Sequence, residues 1–519
     1  MRLFCPVCNK EYPLETQALY CPESSENAVH PLVKLEDTDE LARVFPSILT
    51  KRWNDGKLSF SVFREFMASY QLANEHGKAT WWLERVLALS NACERLIGRG
   101  FVRTPEIQAD DLACAVDLPK GTLFVKNETL QLTESHKSRH AVGTIMYLET
   151  LRETAEDSDE KPVLAAAGDA NALIGAAAIA GAAGYQLFAF VPEGTDDEEI
   201  ALLTNLGTNV VKTACEEEGK EAKNAACILR YREALKKFGW QPFTPYGRDM
   251  WFAVEGAETL AYEFIFNQYL LDAALDVMVL QAGGGGLANA FISGTQICKR
   301  LGVIRKLPRF YACQTTACYP LAQSYFAVLR ELGRESVVTL SPELSMALES
   351  EFDAKALMEN HLGQIKMTAN LIAEMYPKIR EDIEAVFVDI GKRRNEFFKR
   401  WEKPVPETFG GEIVNLDPVD GLEVIRGLIE SGGLPLIVDE ESLEKAQEQA
   451  LKHTNADLTL TGSSGLAGLR TLLKHNMIQK GERCGLIFTG AKHRSCDLPA
   501  VANRIFTLAA TDSIKKLAV

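Results

Sequence analysis

The segment Leu275–Gly302 reads "LDVMVLQAGGGGLANAFISGTQICKRLG", and its character changes abruptly at four consecutive glycines. The apolar run before the glycines predicts a buried strand that ends at Ala282, and the pattern after them predicts a helix that begins near Leu287. Glycines at such a junction let the backbone approach an anion, and the first N–H groups of a helix can bind that anion. Gly283 to Gly286 therefore predict a phosphate-binding loop, with a flexible turn as the alternative.

The residues around the loop narrow the kind of phosphate that it can bind. Gly283, Gly285 and Ala288 fit the glycine pattern of dinucleotide-binding loops, but such loops also need an acidic residue at the end of the next strand. The next strand-like run, "RFYACQT" (309–315), offers Gln314 there, which argues against a nicotinamide-dependent dehydrogenase. The glycines are not followed by a lysine and a Ser or Thr, as a nucleoside triphosphate loop requires. A cofactor with a single phosphate remains.

Strand-like and helical segments also alternate elsewhere in the chain. The runs "PVLAAAG" (162–168), "QLFAFVP" (186–192) and "NVVKT" (209–213) each precede a helical pattern. Such alternation predicts parallel sheets that are covered by helices on both faces. We expect two doubly wound α/β units within residues 101–519, a smaller one at about 141–255 and a larger one built from the remainder.

Residues 1–35 contain a cysteine pattern that is typical of a small zinc-binding module. Cys5 and Cys8 are separated by two residues, and Cys21 is followed by a proline. Three thiolates and one further ligand would complete a tetrahedral zinc site, and His30 is the nearby candidate for that fourth ligand. The pattern predicts a zinc-ribbon-like cap, with a small metal-free β-rich cap as the alternative.

Residues 36–100 carry helical patterns. The apolar residues of "SVFREFMASYQLANEHG" (61–77) recur at three- and four-residue spacing, which predicts one helix that ends at Gly77. The same spacing predicts a second helix in "WWLERVLALSNACERLIG" (81–98), ending at Gly98. Apolar stripes of this kind are typical of core positions, so we interpret the zone as a helical extension without an assigned chemical role.

The composition limits the possible classes of function. The chain has 519 residues, a formal net charge of −15 and 46% hydrophobic residues, which favours a globular protein of two or three domains. An acidic chain disfavours binding to nucleic acids or anionic membranes, because both need basic surfaces. No apolar run is long enough to span a membrane, the N-terminus lacks a signal-peptide pattern, and the twelve cysteines are mostly scattered singly. Reduced thiols and a cytoplasmic location are therefore expected.

The stretch "LTESHKSRHA" (132–141) places Lys137 between polar neighbours, with a serine and a histidine before it and a serine and an arginine after it. A lysine in such polar surroundings is usually a surface charge. In a chain that also has a loop for a single phosphate, however, Lys137 becomes a candidate for a Schiff base with the aldehyde of pyridoxal phosphate.

The segment around Lys137 carries a family resemblance. "VKNETLQLTESHKSRHAVG" (125–143) resembles the lysine motif of the pyridoxal-phosphate enzymes of fold type II, the tryptophan-synthase superfamily. "GGGGL" (283–287) resembles the phosphate loop of that superfamily, and "LIFTGAKHRSCD" (486–497) is similar to its late strand. The matching residues of the lysine motif are Lys126, Glu128, Thr133, Ser135, Lys137 and Arg139. The resemblance covers about residues 101–510 and leans toward threonine synthase and toward the threonine and serine dehydratases.

The resemblance implies a set of cofactor contacts. Lys137 would form the Schiff base, and the hydroxyl of Thr489 would face the pyridine nitrogen. The phosphate would lie against the loop that is formed by Gly283, Gly284, Gly285, Gly286 and Leu287. The Ser-x-Gly-Asn of the family is replaced here by the residues 166–169, Ala-Ala-Gly-Asp. Asp169 or Asn171 is therefore expected to face the 3′-oxygen of the cofactor.

For activity, the resemblance implies a homodimeric enzyme that eliminates or replaces a group on the β or γ carbon of an amino acid, as threonine synthase does. An ammonia-lyase of the threonine or serine dehydratase type is one alternative, and a regulatory homologue with altered catalysis is another. His136 would pack beside the cofactor, with an acid/base role as the alternative. Groups available for a phosphate on the substrate are Arg139, Lys492, Ser463 and Ser464.

Overall fold

The structure is a computed structural model of the chain. It describes residues 1–14, 19–24, 30–53, 58–155, 160–215, 220–350, 353–405, 413–491 and 499–517. The strands in chain order are β1 Arg2–Cys5, β2 Lys10–Tyr12, β3 Val33–Leu35, β4 Glu106–Gln108, β5 Leu123–Asn127, β6 Leu164–Ala167, β7 Leu187–Pro192, β8 Asn209–Thr213, β9 Gln241–Pro242, β10 Val277–Gln281, β11 Arg309–Thr315, β12 Pro435–Val438, β13 Cys484–Phe488 and β14 Ile505–Leu508.

The α-helices connect these strands and extend the N-terminal part of the chain. In chain order they are α1 Thr38–Ser47, α2 Ser59–Val62, α3 Ala68–Glu75, α4 Ala79–Ile97, α5 Asp110–Ala115, α6 Lys137–Thr154, α7 Ala170–Ala183, α8 Asp197–Asn205, α9 Lys220–Phe238, α10 Trp251–Leu270, α11 Gly286–Arg300, α12 Pro320–Arg334, α13 Pro342–Glu349, α14 Ala354–Lys392, α15 Arg394–Phe397, α16 Gly421–Ser431, α17 Glu440–Thr454 and α18 Leu460–Lys474. None of the described helices is long and apolar enough to cross a membrane.

The larger sheet has the strand order β12-β11-β10-β13-β5-β4. Its neighbouring strands run parallel except for the edge pair β4 and β5. Strand β10, which leads into the glycines, is buried at every residue. This is expected for an interior strand of a parallel sheet, because both of its faces are covered. The carboxyl ends of β10 and its neighbour β13 lie side by side, where parallel α/β sheets bind ligands.

The smaller sheet has the strand order β14-β8-β7-β6-β9, and its neighbouring strands run parallel. Strand β14 lies near the end of the chain, so the C-terminal segment returns to complete this sheet. The two parallel α/β sheets that the alternating pattern predicted are confirmed. The domain boundaries drawn from the sequence stay a prediction.

The N-terminal residues form a three-stranded antiparallel sheet in the order β2-β1-β3. Its last strand places Lys34 between two carboxylates of α10, with Nζ 2.6 Å from Glu258 and 3.4 Å from Glu255. The three side chains are almost completely buried, so removing Lys34 would leave two buried carboxylates without this cation. The N-terminal sheet is thus joined to α10 by a buried ion cluster.

The single helix predicted over residues 61–77 is wrong. The structure has α2, a short 3₁₀ turn and then α3. Met67 is extended between the turn and α3 (φ −93°, ψ 122°), and the N–H of Ala68 donates to the buried carboxylate of Glu255 on α10. Because this tertiary hydrogen bond satisfies a helix N-terminus, it outweighs the local helical pattern. The second predicted helix is confirmed as α4, which is followed by Gly98 in a left-handed conformation.

Candidate active site

A pocket lies where the carboxyl ends of β10 and β13 meet the first residues of α6 and α7, and it encloses about 540 Å³ of space that is partly open to solvent. Its wall is formed by Ser135, His136, Lys137, Asp169, Asn171, Tyr246, Gln281, Gly283, Gly284, Gly285, Gly286, Leu287, Ile413, Thr461, Thr489 and Gly490. Every residue for which the sequence predicted a cofactor contact belongs to this wall. The fold therefore brings the predicted site residues together, although they come from distant parts of the chain.

The four glycines close one side of the pocket at the start of α11. Gly285 has φ +99° and precedes the helix, and no side chain within the described residues caps this helix end. A Cβ on Gly284 would lie 2.6 Å from the ring of Tyr246, and one on Gly286 would lie 2.5 Å from the carbonyl oxygen of Pro245. The loop thus needs glycine for its left-handed backbone and for its close neighbours. It leaves the positive end of the α11 dipole at the pocket wall.

Lys137 is the first residue of α6, and its amine lies in the pocket wall. Nζ is 3.4 Å from Oδ2 of Asp169 and 5.9 Å from the centroid of the Tyr246 ring. Oδ1 of the same aspartate accepts the N–H of Ala172 at 2.9 Å and thereby caps α7. Asp169 is therefore both a helix cap and the carboxylate partner of Lys137, and Asn171 lines the pocket two residues further on.

A neutral pair of side chains stands at the end of β13. Oγ1 of Thr489 accepts the backbone N–H of His136 at 3.0 Å and lies 2.8 Å from Nδ1 of the same histidine. Burial, together with the positive charge of Lys137, holds the pKa of His136 well below its usual value. The imidazole therefore stays uncharged near neutral pH, and this end of the pocket offers a ligand a hydroxyl and a neutral ring.

The other charged residues of the lysine motif form a buried ion network and do not line the pocket. Arg139 is fully buried and donates two hydrogen bonds to Glu128, at 2.7 and 2.9 Å, and two to Glu263, at 2.6 and 3.2 Å. Lys126 adds a second cation 2.6 Å from Glu263. Two cations and two carboxylates balance each other, so the network fixes the start of α6 against β5 and α10.

The network corrects the expectation that Arg139 is available for a phosphate on the substrate, because its N–H groups already have partners. Ser463 and Ser464 are not available either, since both are buried and their hydroxyls donate to backbone carbonyls. The neighbouring Thr461 lines the pocket in their place. Lys492 lies outside the described residues.

Three polar residues of the pocket wall were missed by the sequence reasoning, namely Tyr246, Gln281 and Thr461. Oε1 of Gln281 and Oγ1 of Thr461 are buried and have no hydrogen-bond partner within the described part of the chain. Buried oxygens of this kind are costly unless a ligand supplies a donor, so they indicate a polar ligand in the pocket. The signal for Gln281 was a polar residue that ends an apolar strand, whereas the other two have no comparable pattern.

Asp420, a further residue without a sequence signal, is a buried carboxylate behind the glycine loop. Its oxygens accept the N–H groups of Gly247 and Arg248, each at 3.0 Å, and the side-chain amide of Asn289 at 3.1 Å. Its own N–H donates to the carbonyl of Gly284 at 2.8 Å. Burial raises its pKa to about 7. Asp420 thus connects the glycine loop, α11 and the backbone that follows Tyr246.

Comparison with known proteins identifies the family of this chain. Residues 97–392, more than half of the chain, match the family described as pyridoxal-phosphate dependent enzyme. The chain belongs to this pyridoxal-phosphate dependent enzyme family. The family match confirms the resemblance that the lysine motif and the glycine loop indicated, at the level of the family. It also confirms the use of pyridoxal phosphate. The leaning toward threonine synthase stays a prediction.

Similar solved structures include several enzymes with low sequence identity to this chain. They include a threonine deaminase from T.th. (18% identity, TM-score 0.48, 79% of this chain and 99% of that chain), the processed form of threonine deaminase isoform 2 from Solanum lycopersicum (16%, 0.49, 80% and 89%) and serine racemase from Dictyostelium discoideum (14%, 0.47, 79% and 98%). None of the curated proteins compared with this chain matches it.

The pocket of this pyridoxal-phosphate dependent enzyme fits its cofactor. The glycine loop, which is free of side chains, and the N-terminus of α11 suit a phosphate. Lys137 supplies an amine for the aldehyde, and the unsatisfied oxygens of Gln281 and Thr461 mark further polar contacts. The cofactor would be held by Gly283, Gly284, Gly285, Gly286 and Leu287 at the phosphate, by Asp169 or Asn171 at the 3′-oxygen and by Thr489 at the ring nitrogen. These individual contacts stay predictions.

We expect Gly285→Asp to weaken the binding of pyridoxal phosphate by about 100-fold, because its carboxylate, whose Cβ faces Asp420 on the far side of the loop, adds a second negative charge beside the phosphate loop. Gly285→Ala is the matched control. It introduces the same left-handed strain and the same Cβ near Asp420 without adding a charge. Titrating each cofactor-free variant with pyridoxal phosphate, followed by absorbance, gives the two dissociation constants. Equal constants would mean that the loss comes from backbone strain and that the phosphate lies elsewhere.

The N-terminal cysteines meet in a second cluster, remote from the pocket in sequence. The ligand atoms of Cys5, Cys8, Cys21 and His30 all lie within 4.8 Å of one another. Sγ of Cys8 is 3.1 Å from Nδ1 of His30 and 3.8 Å from Sγ of Cys21, and the N–H of Cys8 donates to Sγ of Cys5. Three sulfurs and one ring nitrogen suit tetrahedral zinc. The structure thus brings His30 into the place of the fourth ligand.

Loss of zinc is expected to destabilise the N-terminal sheet. Cys8→Ser should lower the zinc content well below one ion per chain and the free energy of unfolding by about 3 kcal/mol or more, because binding of structural zinc is coupled to folding. Cys114→Ser is the control, since Cys114 is an exposed cysteine outside the cluster. Metal analysis and chemical denaturation test the expectation. A purified wild-type protein without zinc, as stable as its zinc-loaded form, would contradict it.

Proposed function

We propose that this chain catalyses elimination or replacement at the β or γ carbon of a small α-amino acid. The observation that carries the proposal is the position of Lys137, whose amine shares one pocket with the glycine loop and with the neutral pair of Thr489 and His136. Pyridoxal phosphate, when bound, supplies an electron sink for the charge that develops at the α carbon of the substrate. The residues of the chain determine where the proton goes and how the reacting groups are held.

Lys137 is the proposed general base. Its unprotonated amine can take the proton from the α carbon, and Oδ2 of Asp169, 3.4 Å away, can accept a hydrogen bond from it. The carboxylate is itself held by the N–H of Ala172 at the start of α7. Because a helix terminus fixes Asp169, the aspartate can hold the amine of Lys137 in one place between two proton transfers.

The neutral pair supports elimination and replacement over transamination. A hydroxyl beside a pyridine nitrogen leaves that nitrogen unprotonated, which moderates the electron sink of the cofactor. Thr489 is the proposed hydroxyl. His136 cannot protonate the ring nitrogen near neutral pH, because burial and the charge of Lys137 keep its pKa well below the usual value.

The charged side chains of the pocket wall limit the kind of leaving group that the substrate can carry. Within the described wall of the pocket, Lys137 is the one lysine or arginine side chain, and a phosphate on the substrate would need cationic partners of its own. This favours a hydroxyl leaving group, as in serine or threonine, over a phosphorylated one. We therefore place an ammonia-lyase that yields a keto acid and ammonia first, and a threonine synthase-like replacement second.

Product analysis of the full-length enzyme with bound cofactor tests the proposal. Serine and threonine should each release ammonia and the corresponding keto acid, whereas a γ-phosphorylated amino acid should release little phosphate. Threonine and phosphate from O-phosphohomoserine would instead support the replacement reaction. A protein that binds pyridoxal phosphate but changes none of these substrates would overturn the proposed function. Sedimentation of the same preparation tests the homodimer, which stays a prediction together with the cytoplasmic location.

A further inference from the structure

A second, smaller cavity lies behind Lys137 and outside the main pocket. It encloses about 220 Å³ of space that is partly open to solvent, and its closed part, about 10 Å³, is no larger than one water molecule needs. Its wall is formed by Lys137, His140, Ala141, Ala172, Ala176, Phe243, Thr244 and Pro245. Most of these side chains are apolar, and the small residues of α7 leave the space open. Lys137 belongs to the walls of both cavities, so its side chain separates them.

His140 brings an unsatisfied nitrogen to this cavity. Its side chain is 1% exposed, and it lies three residues after Lys137 on α6, which places both on one face of the helix. Nδ1 is 2.9 Å from the carbonyl oxygen of Ala253. A carbonyl accepts only, so Nδ1 carries the hydrogen and Nε2 of the neutral ring is an acceptor. Nε2 is buried and has no hydrogen-bond partner among the residues that the structure describes.

The surroundings keep His140 in this acceptor form. Burial and the positive charges of Lys137 and Arg139 lower its pKa to about 3, against the weaker effect of the Ala253 carbonyl. The ring of His136, 5.7 Å away between centroids, is neutral as well. A buried acceptor without a partner costs free energy. Lys137 and Thr244 are the side chains with donor groups that share the cavity wall with His140. The hydroxyl of Thr244 already donates to Asp249 at 2.8 Å, which leaves the amine of Lys137 as the donor for Nε2.

We propose that His140 is a positioning residue for Lys137, whose amine lies against Asp169 in the present structure and donates a hydrogen bond to Nε2 as it approaches the aldehyde of the cofactor. This inference rests on the proposed role of Lys137. The amine would then have two acceptors, Asp169 on the side of the main pocket and His140 on the side of the smaller cavity. Two N–H groups that are held in this way would direct the lone pair of a neutral amine toward the reacting carbon.

The test follows the reaction of Lys137 with the cofactor in the full-length chain after the cofactor has been removed. The amine nitrogen forms a bond to the aldehyde carbon of added pyridoxal phosphate, one water leaves, and a visible absorbance band appears. Its rate constant reports how well the amine is placed. Pyridoxine 5′-phosphate has no aldehyde, so its dissociation constant reports the pocket alone.

Two variants distinguish the effects of the two ring nitrogens of His140. His140→Asn keeps an N–H donor at the place of Nδ1 for the carbonyl of Ala253 and removes the acceptor at Nε2. His140→Gln keeps an acceptor oxygen at the place of Nε2 and gives up the bond to Ala253. We expect His140→Asn to slow band formation by about 3- to 10-fold, the value of one hydrogen bond. His140→Gln should recover most of the rate, and both variants should bind pyridoxine 5′-phosphate as the wild type does.

Other results would overturn the proposal. Equal rates for the wild type and both variants would show that Nε2 has no effect on the amine. Equal slowing in both variants, or slowing that follows a loss of affinity for pyridoxine 5′-phosphate, would assign the effect to a general disturbance of the pocket. A wild type that binds pyridoxine 5′-phosphate but forms no band would remove the role of Lys137, and the present inference with it.

Discussion

Replacing Lys137 with alanine is expected to remove the visible absorbance band of the bound cofactor and to lower the turnover by about 10³-fold or more, because a positioned acid or base alone contributes about 10²- to 10⁴-fold. The variant loses the amine that would bond to the cofactor and the group that would take the proton from the α carbon. The glycine loop is unchanged, so pyridoxal phosphate should still bind through its phosphate. Three measurements test this prediction. The absorbance spectrum reports the band, the turnover reports the proton transfer, and the dissociation constant reports the binding of the cofactor.

The control for this prediction is Lys120→Ala, which removes a lysine that is exposed on the surface. Circular dichroism should show that both variants keep the fold, since the amine of Lys137 has Asp169 as its charged partner and is not part of the buried ion network. Turnover of Lys137→Ala at the wild-type rate would exclude Lys137 as the base and with it the proposed function. Loss of folding in Lys137→Ala would shift the test to Lys137→Arg, which keeps the charge.

The sequence was sufficient for those parts of the site that lie in short segments. The strand β10, the glycines and helix α11 follow each other directly, so their relation is determined locally. The pattern of Lys137 and its neighbours is equally short. The parallel sheets were predictable because apolar strands and helical patterns alternate along the chain, and this alternation allows few other arrangements.

Residues that reach the site through long-range contacts could not be predicted in this way. Tyr246 lies in the wall because its ring packs on Gly284, and Asp420 lies behind the loop because its backbone N–H bonds to the carbonyl of that same glycine. Neither contact leaves a periodic signal in the sequence. The helix predicted over residues 61–77 failed for a similar reason, since a carboxylate of α10 interrupts it at Ala68.

The lysine motif itself also contained two kinds of residue that the sequence could not separate. Lys137 lines the pocket, whereas Arg139, two residues away, points into the buried ion network. On a helix, residues two apart face different directions, so one motif can contribute both a reacting group and a structural anchor. The difference became visible only with the position of Glu263, which lies 124 residues further along the chain.

The anchor role of Arg139 leads to the largest expected effect on stability. Arg139→Met should lower the free energy of unfolding by about 3–5 kcal/mol, because it removes one partner from a buried set of charges and leaves the carboxylate of Glu128 uncompensated. Methionine keeps the volume of the aliphatic part of the side chain, so the loss is mainly that of the guanidinium group. Denaturation with urea, followed by circular dichroism, measures the change.

Arg393→Met is the matched control for this substitution. Arg393 also forms ion pairs with three carboxylates, the exposed Asp389 and Glu396 and the buried Glu331, but its own side chain is about a third exposed, and pairs with solvent-exposed groups contribute about 0–1 kcal/mol.

The free energy of unfolding at acid pH provides a second test of the buried network. Burial alone would raise the pKa of Glu263, but Arg139 and Lys126 lower it to about 2. The stabilisation from this carboxylate is therefore complete above its usual pKa of 4.5 and is lost as the pH falls toward 2. Arg139→Met should weaken this dependence, and equal losses of stability in the two variants would show that the buried network is no stronger than a pair on the surface.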